Sequence, residues 1–177
     1  MSPVDRSKLR LFAVVAFISS LVVLAGIAIV QASPADIAAI KSRQDKLRDM
    51  GSNLKSVEDE IKKRNPAWDV IEPSADAVQS RASFLLTWFP KGTGPEAGGW
   101  TGVNGPSRTY ALPLIWQKQD DFTKLGKAIQ AETVKLNQLA KAKDLAGLRT
   151  QYEVVGKACK SCHDTYRSPD YEKDNPD

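Results

Sequence analysis

From Pro34 onward the apolar residues return every three or four positions in four separate stretches, and the chain reads as four amphipathic helices. The first, from about Pro34 to Lys63, sets Ile40, Leu47, Leu54 and Ile61 seven apart with Ile37, Met50 and Val57 beside them, the seam of a helix bundle. Asn65-Pro66 ends it. Ser74 reads as the N-cap of a second helix that turns Val78, Ala82, Leu85 and Phe89 inward and closes at Pro90. A third starts near Pro113 and repeats Ile115, Phe122, Ile129 and Leu136 at seven-residue spacing, with Leu125 and Leu139 as a companion row. Asp144 caps the fourth after so short a turn that the third and fourth helices must be antiparallel neighbours. Its stripe is the most regular in the chain: Leu148, Tyr152, Val155, Cys159, Cys162 and Tyr166 alternate four and three apart. No stretch alternates with the period of a strand. Between Pro90 and Pro113, six glycines and four prolines exclude regular structure and predict one long loop.

The first 32 residues follow a different pattern. Arg6, Lys8 and Arg10 precede an apolar stretch from Leu11 to Val30, and Val30-Gln31-Ala32 offers small residues at the spacing of an export-signal cleavage site. The run is also long enough to cross a bilayer uncleaved, with its basic end in the cytoplasm. Residues 1–32 are therefore a signal peptide, with cleavage after Ala32 favoured, or an N-terminal membrane anchor, and 33–177 form one small helical domain. Either way that domain is exported, to the periplasm in a bacterium. The net charge of +4 falls to about +2 once the leader's three cations and Asp5 are set aside, an excess too weak to predict a nucleic acid partner.

Chemistry concentrates in the last helix, where Cys159-Lys160-Ser161-Cys162-His163 has the form Cys-x-x-Cys-His, the attachment signature of c-type haem. On a helix the two cysteines share one face, so both thiols can add to one porphyrin, and His163 can turn its imidazole to the iron. Three other readings fit less well. A structural zinc ion takes four ligands, yet these are the only cysteines and the only histidine in the chain. A thioredoxin-type redox pair sits where a strand enters a helix, and no strand precedes this one. A plain disulfide would leave His163 unexplained. Both cysteines lie on the core-facing stripe, so the haem would be held inside the bundle by the C-terminal helix. On its other face few ligands are available. His163 is used, and beyond the leader the chain has a single methionine, Met50. Leu47 and Met50 differ by about 60° and 4.5 Å along the first helix, too little for periodicity to choose which covers the iron.

These residues, with Arg43-Gln44, Met50-Gly51, Trp88-Phe89-Pro90-Lys91-Gly92, Ala111-Leu112-Pro113-Leu114-Ile115-Trp116 and the run Gly156 to Arg167, resemble the cytochrome c′ family, the class II c-type cytochromes. The resemblance implies an all-α, antiparallel four-helix bundle. It further implies one covalent haem c on Cys159 and Cys162 with His163 as iron ligand, Arg43 and Gln44 against the propionates, Arg167 beside the proximal imidazole, and Leu47 where low-spin relatives carry a methionine. By that alignment Met50 is packing and the iron is five-coordinate and high-spin.

The function expected is binding of small diatomic gases, nitric oxide first and carbon monoxide second, with electron carriage as a companion role and an unidentified redox partner. An apolar lid at Leu47 gives bound dioxygen no hydrogen bond, whereas nitric oxide binds ferrous haem without one. The alternative is a six-coordinate electron carrier with Met50 as sixth ligand. A peroxidase is not expected, because no distal histidine remains for acid–base work. The resemblance also implies a homodimer through the first two helices.

Overall fold

Residues 33–95 and 108–175 are described by the computed structural model; the leader and the tip of the glycine-rich loop, with Trp100, lie outside the described residues. Four long helices make the bundle: α1 (Pro34–Ile61), α2 (Trp68–Ser83), α4 (Gln119–Lys141) and α5 (Leu145–Tyr166). Two short ones, α3 (Leu114–Gln117) and α6 (Asp170–Asp174), flank its loop end. Among the described residues there is no strand, only an isolated bridge pairing Ala111 with Arg167.

Each helix start has a local cause, and two differ from the sequence expectation. Ser33 caps α1 and forms a capping box with Asp36, while Pro34 supplies a preset first turn. Helix α2 begins at Trp68 rather than after Ser74, so Pro73 and Ser74 lie inside it. The ring of Pro73 removes one helical hydrogen bond, but starting later would leave Ile71, which is fully buried, without a helical position in the core. Ala67 cannot cap with its own side chain; the Glu60 carboxylate accepts its N–H at 2.9 Å instead. The helix ends at Ser83 and a 3₁₀ turn (Leu85–Trp88) continues toward Pro90. The expected third helix breaks at Lys118, where ψ is +57°. The Trp116 indole N–H donates to the carbonyls of Phe89 and Pro90, tying α3 to the loop instead of to the line of α4. Gly126 lets the 3₁₀ turn dock on α4, because a Cβ there would run into the Leu86 side chain.

The contacts between helices give an up-down-up-down order. Asp49 of α1 pairs with Arg81 near the end of α2, and Gln130 of α4 reaches Ala82 while Asn137 reaches Gln79. Gln151 of α5 bonds Glu132 of α4, and Arg149 donates to the Ile61 carbonyl. Ile115, Phe122, Ile129 and Leu136 are all buried, as are Leu148, Val155 and Tyr166. The same seams are incomplete at one level. Leu47 and Leu54 on α1, and Tyr152, Cys159 and Cys162 on α5, are only partly buried although their stripe neighbours Ile40, Val57 and Val155 are sealed. These five positions face one another across the loosest side of the bundle.

Candidate functional site

The α1–α5 side is the least closely packed of the four. A cavity of about 650 Å³ opens there, inside the ~300–1,000 Å³ range of cofactor sites. Leu47, Met50 and Leu54 line one wall, Cys159, Cys162 and His163 the other, and Val78, Leu85 and Ile129 close the back. The regular stripe of α5 thus delivers both thiols to one face of one hole.

Cys159 and Cys162 are free thiols. Burial pushes both up, Cys162 to about 11, with the neighbouring Cys159 adding to the latter, so both stay protonated at neutral pH. His163 stands exposed to the cavity opening. Desolvation by the surrounding protein, and after it the Arg167 guanidinium, pushes its imidazole down to about 4. A neutral imidazole offers a lone pair to a metal. Among the described residues no three His, Cys, Asp or Glu side chains converge as a metal site.

Leu47 and Met50 are separated by their packing. Leu47 joins the cluster of Ala82, Leu85, Trp88 and Ile129 that also receives Cys162. Met50 joins that cluster and the one below it, which receives Cys159. Leu47 is therefore the α1 side chain level with the Cys162–His163 turn, and Met50 sits across the boundary between the two.

Arg43 and Gln44 also line the cavity, yet their hydrogen bonds run to the loop. Arg43 is 2% exposed; it bonds Thr93 and Thr109 and lies over the Phe89 ring. Burial pulls its guanidinium down to about 10, which leaves it cationic at neutral pH. Arg167 lies over Tyr171 at 4.2 Å and pairs with Glu172. The opening also holds residues that sequence reasoning did not select: Arg108, Tyr110 and Tyr171. Arg108 and the Tyr110 hydroxyl both bond Asp174, and the rings of Tyr110 and Tyr171 meet edge-on. No periodicity marks them, because they come from a loop and from a helix beyond the signature.

The residues present fit a porphyrin. The cavity is apolar at depth and bears arginines at its opening, with no Asp or Glu among the described residues that line it. Gly51 lines it too, and a Cβ there would touch nothing within 4 Å. A glycine inside a helix costs about 0.5–1 kcal/mol relative to alanine, and here it leaves room at the wall.

The family model described as Cytochrome C' matches residues 38–167. Cytochrome c′ of Alcaligenes xylosoxydans xylosoxydans is 33% identical over 136 residues, 77% of this chain and 96% of that protein. The crystal structure of cytochrome c′ from Thermochromatium tepidum superposes with a TM-score of 0.66 at 22% identity, covering 75% of this chain and 96% of that one. The nitric oxide complex of a mutant cytochrome c prime from Alcaligenes xylosoxidans does so with a TM-score of 0.61 at 29% identity, covering 73% and 94%.

Proposed function

The chain belongs to the cytochrome c′ family, whose members carry one covalent haem c, and from that premise we propose an exported, five-coordinate haem protein that takes up small diatomic ligands and carries electrons. Cys159 and Cys162 would hold the haem covalently, each through one thioether formed by adding its S–H across a vinyl group. Their shared helix face and place on one wall of the cavity suit them to hold the porphyrin edge in the α1–α5 gap. His163, neutral and lining the cavity, would hold the iron through its imidazole lone pair. When bound, the haem supplies an iron centre that changes oxidation state and accepts a diatomic ligand.

The observation that carries this reading is the position of Leu47, packed with the cluster that receives Cys162. A branched alkyl side chain excludes water from the distal face and donates no hydrogen bond. Nitric oxide tolerates such a face; dioxygen bound to iron gains nothing from it. The nitric oxide complex of a related protein, reported above, supports the same ligand class. Met50 lines the same cavity, which favours a second reading as a six-coordinate electron carrier with its sulfur on iron. A visible absorption spectrum separates the two, because high-spin and low-spin haems absorb differently.

Cleavage after Ala32 would start the mature chain at Ser33, the residue that caps α1 and whose backbone nitrogen donates to Asp36 at 3.0 Å. A new α-amino group there would meet a carboxylate already in place. No helix among the described residues is long and apolar enough to cross a membrane.

A further inference from the structure

Four aromatic rings run in contact from the cavity wall to the surface. Tyr166 of α5 meets Phe122 of α4 edge-on at a centroid separation of 5.2 Å, Phe122 meets Phe89 edge-on at 4.9 Å, and Phe89 meets the tilted indole of Trp116 at 6.5 Å. At these separations aromatic side chains pack without a gap. Tyr166, Phe122 and Phe89 line the cavity, whereas Trp116 belongs to α3 and is half-buried. Its indole N–H is shared between the carbonyls of Phe89 at 3.2 Å and Pro90 at 3.1 Å, which holds the ring against the column. At the inner end, Cys162 packs against the cluster formed by Ile115, Phe122 and Tyr166. A thioether at Cys162 would join the porphyrin by a covalent bond to the side chain that touches the first rings. Trp88 is buried and gives no such outlet.

We propose that this column is an electron route between the haem and the surface at α3, with Trp116 as its outer end. The assignment rests on the haem reading above. Electron tunnelling weakens steeply across an empty gap and much less through bonded or close-packed atoms. A line of rings in contact from the Cys162 sulfur outward therefore couples the iron to one defined point on the surface. The rings are not oxidised in ordinary turnover; single electrons pass through them to or from a one-electron carrier at α3. The opening between α1 and α5 is another way in, and the column differs from it in ending at a single side chain. Edge-to-face rings are also ordinary core packing, so what distinguishes a route from packing is a rate.

The test is pulse radiolysis of the ferrous holoprotein in azide solution, where the azide radical takes one electron from an indole and becomes azide anion. The indole radical then regains an electron from the iron, which becomes ferric, and the two steps are followed separately at the indole-radical and haem absorption bands. The route predicts a phase of haem oxidation whose rate is independent of protein concentration. Trp116→Phe should remove that phase, and Trp68→Phe, in the cluster with Val57 and Ile61, should leave it. Phe122→Leu should form the indole radical in the same yield and slow its reduction by the haem several-fold, because the ring between Tyr166 and Phe89 is gone. A phase that survives Trp116→Phe, disappears in Trp68→Phe or keeps its rate in Phe122→Leu overturns the route and leaves the haem reading intact. Haem oxidation that depends on concentration throughout does the same, since it marks direct attack at the opening. A wild-type chain purified without covalent haem overturns both. If Trp116→Phe does not fold, Phe122→Leu alone decides by the rate.

Discussion

At the scale of single residues, the site is two short sets of side chains facing one another across a gap, and each set has its own consequence. If Cys159 and Cys162 carry the thioethers as proposed, replacing both with alanine removes them, so acid–acetone extraction should release haem from the double variant and leave it on the wild type. Retention by the double variant would refute covalent attachment through these residues. Arg43 makes a different prediction. It is a buried cation whose partners are neutral oxygens of Trp88, Thr93 and Thr109. Arg43→Met should leave Thr93 and Thr109, both almost fully buried, short of donors and cost about 1–3 kcal/mol in urea unfolding. The sequence singled out Arg43 and could not show these partners, which lie between 45 and 66 residues away along the chain. A stripe at helical spacing announces which face is buried and nothing about what a polar side chain on that face will bond.

At the scale of elements, the seams were legible and the ends were not. Period alone placed Ile115, Phe122, Ile129 and Leu136 inside, and the structure buries all four. The start of α2 was misplaced because Ser74 satisfies the local rule for an N-cap, while the competing requirement, a core position for Ile71, comes from tertiary packing. Glu60 then serves as the cap that Ala67 lacks. Its carboxylate is held below the usual range first by Lys63 and then by the Ala67 N–H. A depressed carboxylate contributes stability above its ordinary value of 4.5 and loses it as pH falls through the folded-state value. Glu60→Gln should therefore be less stable than wild type in urea melts at pH 7, and the difference should shrink at acid pH as the wild-type carboxylate protonates. A gap that stays constant down to pH 3 would contradict the capping role. Helix α6 was also missed: five residues beyond a proline are too few to show a period, and Tyr171 and Asp174 gain meaning only beside Arg108 and Tyr110.

For the whole molecule, four helices enclose a hole on one side, and the functional account depends on what fills it and what faces it. The outer surface of α2 exposes Val70, and the residue that follows the helix, Phe84, is 61% exposed. A homodimer built on α1 and α2 would cover them, and Phe84→Arg should then shift sedimentation from dimer to monomer without altering the absorption spectrum. Mass spectrometry of the exported protein should find Ser33 as the first residue; an intact N-terminus in the membrane fraction would favour the anchor. The central claim is the open distal face under Leu47, and the absorption spectrum of the oxidised holoprotein with and without Met50→Ala tests it most directly. The account predicts a high-spin spectrum in both, with Met50→Ala costing only packing, on the order of 2–5 kcal/mol if the side chain is fully enclosed once haem is present. A low-spin wild-type spectrum that becomes high-spin in Met50→Ala would contradict it, placing the Met50 sulfur on the iron and making the protein a six-coordinate electron carrier.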